Sequence, residues 1–566
     1  MGNPRNFARM NAESTSQLSH ERPTGLKSWL AFRATERFRF RILPAIAILL
    51  LAPAYWIYVF APAVGTVFHD DGLCLVTAQA LAHGSGYRIV SLPAEIPQTK
   101  YPILYPAILS GVIRIFPRFP QDVPALKALS LLFTILWCVA SYKLLLEMCA
   151  PRWTYWILFF TLAFPWVLNS SSATLPDTLF ALSSTVGALL LMRATAESDS
   201  TSLANVVCAS IFCGLAVLAR SAGVPLFLAG AIVLLYRRMY GKLVVFAATT
   251  FIVCLPWLYW QRVHPAPVDR VLTYYSKFDY VQTNIFALHC GSTLLLKIVT
   301  GNLFFLLRTF SDVLGGEVLG ILASFGVWAV IVRGFVRSLR KGLTVICAWC
   351  VLYLGVLLCC TIPRPRYLIP LLPLLFTFFV EGLRGAMPTS PKAVVRRRYL
   401  AGALICLLTA RAGVSVWEMS RETLRKGTPA QRPSLEVLDW NEMMGLAQWI
   451  RDNAPKDAIV SADLDPVFYL FGRRKAIRPF RTDFYAWLTN TATSYEPIGS
   501  AEDLRRHVLR NKISYIVLTP AYGYIERTCL RELLDRLIRS NPAAFRVARK
   551  QRNPEYLIYA VDYARL

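Results

Sequence analysis

Apolar runs of about 20 residues recur along most of this chain, the length that a bilayer's hydrocarbon core demands of a helix. Lipid offers no hydrogen bonds, so backbone crossing it must pair internally, and such runs fold as helices. Of the 566 residues 55% are hydrophobic and 17% charged, and mean hydropathy is +0.44. Soluble globular chains are more polar. The sequence reads as a polytopic α-helical membrane protein.

Charge then sets orientation. A net charge of +27 in a soluble protein would point to nucleic acid. Here the excess Lys and Arg gathers in short loops between apolar runs, as the positive-inside rule requires, so the partner is the lipid bilayer and not nucleic acid. Residues 1–41 form a basic tail whose Arg33, Arg37, Arg39 and Arg41 fix the N-terminus in the cytoplasm. Ala61-Pro62-Ala63 resembles a signal cleavage site, but it follows a long polar leader and a run longer than a signal's apolar region; the first span is read as retained.

Spans are expected at 42–60, 124–147, 153–169, 177–193, 203–219, 222–236, 243–260, 313–332, 343–362, 366–383 and 399–417. Ile103 to Phe116 is too short to cross, contains Arg114 and stops at Pro117, so it reads as an interfacial helix. Counting it as a span would move Arg152, Arg193, Arg237, Arg238, Lys242, Arg333, Arg337, Arg340, Lys341, Lys392 and Arg396 to Arg398 outside. The positive-inside rule therefore selects eleven spans in a module at 42–417, with the C-terminus outside.

Four segments then face outward: a first loop at 61–123, the turn NSSSATLPD, a loop at 261–312, and residues 418–566. The 261–312 loop mixes apolar runs with His264, Asp269, Lys277, Asp279, Lys297 and Arg308, a pattern of helices resting on the bilayer. In the last segment Leu435 to Arg451 has helical periodicity, AIVSADL, SYIVLTP and YLIYAVDY read as strands, and AEDLRRHVLRN as a helix. That alternation predicts an extracytoplasmic α/β domain. Of 13 cysteines only Cys74, Cys290 and Cys529 fall in the outward-facing segments, with neither disulfide nor zinc spacing.

Chemistry concentrates on the outer face. The first loop starts with Asp70 and Asp71 and ends at Lys100 beside Tyr101 and, further on, Tyr105. An aspartate there can act as general base on an acceptor hydroxyl, or, with its neighbour, hold a divalent cation. Asp177 opens a span after a serine-rich turn, where it also suits a helix N-terminus. Lys100, Arg220, Arg364 and Arg366 lie outward against the positive-inside bias, and Arg220 sits between two apolar runs, where a charge is costly. Tyr367 adjoins the last pair.

In order along the chain, DDGLCLVTAQALAHGSGY, TKYPILYP, SATLPDTLFA and RPRYLIPLLP resemble membrane glycosyltransferases of the GT-C fold. More narrowly they are similar to the protein-mannosyltransferase-like group that includes the lipid A aminoarabinose transferases. The likeness runs from about 60 to 385 and continues into MMGLAQWIRDNAPKDAIVSAD and FYLFGRRKAIRPF. It implies sugar transfer from a polyprenyl-phosphate carrier to an envelope acceptor at the outer face of a bacterial inner membrane. It also implies Asp70 as catalytic acid of the first loop with Asp71 beside it, Asp177 as the second-loop carboxylate, and Lys100, Arg220 and Arg366 as donor-phosphate ligands. The Asp-Asp pair departs from the Asp-Glu of many members, and some relatives have more spans. No cofactor is required by this reading, with a divalent cation at Asp70 and Asp71 the one alternative.

The residues suit that chemistry independently. A polyprenyl phosphate leaves as an anion that cations can hold, so one carboxylate base is enough and the anomeric centre inverts. Glycosidases, in contrast, need a second carboxyl as acid. A flippase for lipid-linked sugars would also want outward cations, but transporters carry internal repeats and charges at mid-membrane, and neither is visible here. A non-catalytic binding protein is the third reading.

Overall fold

The computed structural model describes residues 41–566 apart from 67–68, 150, 196–202, 266–271, 273–274, 277–291, 316–317, 361–363, 385–390, 434–436, 480–499 and 521–529. Residues 1–40 of the basic tail, Arg33, Arg37 and Arg39 among them, and Asp269, Lys277, Asp279, Cys290 and Cys529 lie outside the described residues, as do the side chains of Arg152, Lys297, Lys392 and Arg396 to Arg398.

Among the described residues seven helices are long and apolar enough to cross a membrane: Leu43–Phe60, Val123–Met148, Asp177–Ala194, Tyr240–Val263, Val318–Leu339, Pro365–Arg384 and Gly402–Lys426. Each overlaps an expected span. The expected spans at 153–169, 203–219, 222–236 and 343–362 appear as shorter apolar helices, Trp153–Leu162, Leu203–Ala219, Ser221–Tyr236 and Val345–Cys359. The first of these breaks at Pro165, where a second short helix, Pro165–Ser170, begins. The bundle carries large exposed apolar side chains such as Leu49, Leu50, Ile252 and Leu319, which fits an outer surface solvated by lipid.

Ile103 to Phe116 forms a helix of 12 residues, Leu104–Ile115. Its Arg114 donates to the carbonyls of Leu81 and Ala82, which end the loop helix Asp70–Ala82. Of the 261–312 loop the structure describes a helix at Ser292–Leu307, and Asn302 there donates to the carbonyl ends of Val345–Cys359.

The C-terminal segment forms a five-stranded sheet in the order β2-β1-β3-β5-β4. The strands are β1 (Ile459–Ser461), β2 (Lys475–Ile477), β3 (Ile513–Leu518), β4 (Phe545–Lys550) and β5 (Leu557–Val561). β2, β1 and β3 run parallel, while β5 and β4 return antiparallel. Helices Trp440–Asn453, Asp465–Gly472, Ala501–Arg510 and Leu530–Ser540 complete an α/β unit. Three strands and two helices of it are the ones expected; β2 and β4 are additions, too short or too charged to read as strands.

The helix Asp177–Ala194 sets the scale of the molecule. Its 18 residues span about 27 Å at 1.5 Å per residue, close to the hydrocarbon thickness. At its end Arg193 pairs with Glu147, and Arg237 and Lys242 donate to the carbonyls of Thr195 and Ala194. At its start stands Asp177, with the acidic and basic groups described next. Basic loops and candidate site therefore occupy opposite ends of the same helices.

Candidate active site

Two helix starts and two 3-10 turns bring most of the charges together. Asp70 and Asp177 are each the first residue of a helix, where the unpaired N–H groups favour a carboxylate. Neither side chain caps its own backbone. Both reach sideways to guanidinium groups instead.

Arg366 lies on the 3-10 turn Pro365–Leu371. Pro370 has no N–H and its ring crowds the carbonyl four residues earlier, which disfavours a regular α-helix through this stretch. Arg220 sits extended between helix Leu203–Ala219 and the turn Ser221–Gly223. That turn needs glycine, because a Cβ on Gly223 would come 2.6 Å from the backbone of Ala216. Lys100 is set from behind: Trp260 and Gln261, at the end of Tyr240–Val263, donate to the carbonyls of Gln98 and Thr99 at 2.9 and 3.0 Å.

The result is a chain of alternating charge. Arg366 donates to Asp70 Oδ2 at 2.7 Å, while Tyr101 Oη donates to Asp70 Oδ1 at 2.6 Å. The other side of Arg366 faces Asp177 Oδ2 at 3.7 Å, and Arg220 donates to Asp177 Oδ1. Tyr367 lies under both guanidinium groups, 4.8 Å from Arg220 and 5.5 Å from Arg366, and Lys100 Nζ lies 4.9 Å from the Tyr101 ring. Such cation–aromatic contacts hold each cation in place.

All of these groups but Asp177 and Tyr367 line one cavity, walled by Asp70, Cys74, Lys100, Tyr101, Pro102, Leu175, Pro176, Ala219, Arg220, Ser221 and Arg366. Three cations against Asp70 and Asp177 leave it with net positive charge. Asp70 is 17% exposed whereas Asp177 and Arg366 are 3% exposed, so Asp70 is the acid a substrate can reach. Burial pushes the Asp70 carboxyl up, but Arg366, Lys100, the Tyr101 hydrogen bond and His69 together outweigh it and hold it well below the usual carboxylate range. Burial pushes the Cys74 thiol well up, and the Asp70, Asp71 and Asp177 charges add to it, so this sulfur is no thiolate nucleophile.

Other candidates stand apart. Asp71 is 1% exposed and not part of the cavity wall; the buried Lys127 donates from Nζ to the carbonyl of Ala61 at 2.5 Å. Tyr105 is buried against Ser130, 2.9 Å away. Arg364 is half-buried before the 3-10 turn and off the wall. A divalent cation is a poor fit at Asp70, because Arg366 and Tyr101 already occupy its two oxygens and Asp71 does not join it. Among the described residues no three His, Cys, Asp or Glu side chains group as metal ligands.

Sequence reasoning missed Cys74, Pro102 and Ser221, which carry no charge signal, and Lys127. Lys127 had one: a lone cation inside an apolar run is a candidate by default.

No protein-family signature matches the chain, and no curated protein sequence matches it. Solved structures do. ArnT from Cupriavidus metallidurans bound to undecaprenyl phosphate superposes with a TM-score of 0.55 at 13% identity, covering 91% of this chain and 98% of that one. The oligosaccharyltransferase of Archaeoglobus fulgidus in complex with zinc and sulfate gives 0.52 at 15% identity, covering 82% of this chain and 67% of that one. The chain has the GT-C fold. At these identities the likeness is one of fold, and the roles of the side chains rest on their own geometry. Within the GT-C fold the cavity lies beside the helix Asp70–Ala82 of the first loop, at the end of the bundle away from the basic loops.

Proposed function

We propose that this protein is an inverting glycosyltransferase that moves a sugar from a polyprenyl-phosphate donor to an envelope acceptor at the outer face of a bacterial inner membrane. One observation carries the reading: a single cavity with net positive charge holds one reachable, ionised carboxylate, Asp70, between Arg366 and Tyr101.

Asp70 takes the proton of the acceptor hydroxyl as its oxygen bonds to the anomeric carbon. The bond from that carbon to the phosphate oxygen breaks, and its electron pair leaves with the phosphate. Lys100, Arg220 and Arg366 receive that charge, so no acid is needed for departure. Asp177 holds Arg220 and faces Arg366, aiming both. The polyprenyl chain lies among the apolar helices, and the C-terminal α/β unit stands outside the membrane.

Arg366, which faces Asp177 on one side, donates to Asp70 on the other, and there the donor phosphate competes with Asp70 for it. When the phosphate draws Arg366 away, Asp70 loses its strongest partner and becomes a better base. Base strength is thereby tied to donor occupancy. The test is release of polyprenyl phosphate in vesicles carrying a lipid-linked sugar, with and without envelope acceptor. Acceptor-dependent release that Asp70→Asn abolishes is the expected result; donor movement across the bilayer without release would replace the enzyme with a flippase.

A further inference from the structure

Outside the cavity, the strongest unexplained feature is a buried polar contact between regions far apart in sequence. His69 Nε2 and Asp465 Oδ1 are 2.5 Å apart, and both side chains are fully buried. A carboxylate oxygen has no proton to give, so Nε2–H is the donor. His69 is the residue immediately before Asp70 and sits at the start of its helix, with φ at +64°. Asp465 is the first residue of Asp465–Gly472 in the C-terminal unit. A non-glycine residue at positive φ persists only where its surroundings hold it, and here the holder is the aspartate of the other unit.

Further contacts join the same surfaces. A Cβ on Gly72 would come 2.7 Å from Pro466 Cβ, so the first turn of the Asp70 helix packs directly on Asp465–Gly472. The Tyr275 ring lies tilted at 49°, 5.9 Å from the His69 ring, and its hydroxyl accepts from the backbone N–H of Arg478 just beyond β2. Past the far end of the helix, edge strand β2 donates from the Ala476 N–H to the Ser91 carbonyl at 2.9 Å, and Lys475 Nζ donates to the Val90 carbonyl at 2.6 Å. The loop that carries Asp70 is thus gripped on both sides of its helix by the C-terminal unit.

We propose that the C-terminal domain positions the reaction's base: the His69–Asp465 hydrogen bond fixes the first turn of the Asp70 helix, making His69 and Asp465 positioning residues. This rests on the glycosyltransferase reading for its consequence, but its structural half can be tested without it. The full-length protein in detergent micelles is compared with Asp465→Ala by hydrogen–deuterium exchange. The expected result is exchange at least about tenfold faster over 69–75, with β1 and β3 as protected as before. Unchanged exchange over 69–75, or an equal rise across β1 and β3, overturns the proposal. If Asp465→Ala does not fold, His69→Asn, which tolerates positive φ, decides by the same criterion.

The kinetic half uses lipid-linked sugar and acceptor. Asp465→Ala should lower kcat about tenfold or more with donor KM within about twofold, since misplacing a reacting group costs rate and not phosphate binding. Asp465→Asn keeps an oxygen for Nε2–H and should recover most of kcat. An unchanged kcat in Asp465→Ala, or no recovery in Asp465→Asn, overturns positioning. A wild-type protein that transfers no sugar rejects the glycosyltransferase reading and leaves the exchange result to decide the latch.

Discussion

Asp70 and Asp177 begin helices in the same way and share Arg366, yet they are not equivalent. Asp70 is partly open to the cavity, with Tyr101 on one oxygen and Arg366 on the other. Asp177 is sealed, with Arg220 on one oxygen and Arg366 facing the other. One acid can meet a substrate and the other can only orient cations. Chemistry separates two residues that composition and local pattern make alike.

The largest expected effect tests that difference directly. Asp70→Asn should lower the rate of polyprenyl phosphate release by about a thousandfold, the scale of losing a general base, with donor KM little changed. An equal loss in Asp177→Asn would erase the distinction. Arg366→Gln comes second, at about a hundredfold, because it removes a phosphate ligand and Asp70's main partner together. It also changes the pH profile. Asp70 is depressed below its ordinary value of about 3.9, so it stays ionised and contributes no acid limb in wild type from pH 8 down to about 5. Without Arg366 burial prevails, the folded value rises, and activity should fall as pH drops through it. A flat profile in the variant would refute that account.

Asp177→Asn should act mainly on donor binding, raising KM about tenfold with a smaller change in kcat, as Arg220 loses its anchor. Asp177→Ala should also destabilise the fold by roughly 3–5 kcal/mol, the cost of stranding a buried charge, read as a drop in thermal midpoint. The smallest effect is expected of Tyr101→Phe, about fivefold on kcat, since Arg366 still holds Asp70. A loss as large as that of Asp70→Asn would give Tyr101 a role of its own.

The spans were legible because a lipid core imposes a length and an apolar composition that can be read locally. Arg220 and Arg366, which meet in the cavity, were legible because a charge beside apolar runs stands out. The acid pair was not. Successive residues on a helix point about 100° apart, so Asp70 and Asp71 part company once Asp70–Ala82 forms, and Asp71 is buried off the cavity wall. Tyr105 is lost to the core for a similar reason, its hydroxyl spent on Ser130. Strand β2 is three residues of KAI, and its identity comes from pairing with β1.

By itself the sequence determined a helical membrane protein, a C-terminal α/β unit with three of its five strands, and most of the charges that meet in the cavity. Those follow from solvent: lipid and water sort side chains wherever the chain passes. Tertiary structure alone decided that Arg366 lies between Asp70 and Asp177, and that Asp465 reaches across to His69. Local pattern carries no term for contacts between residues 296 and 396 positions apart; they exist only once the bundle and the C-terminal sheet have packed.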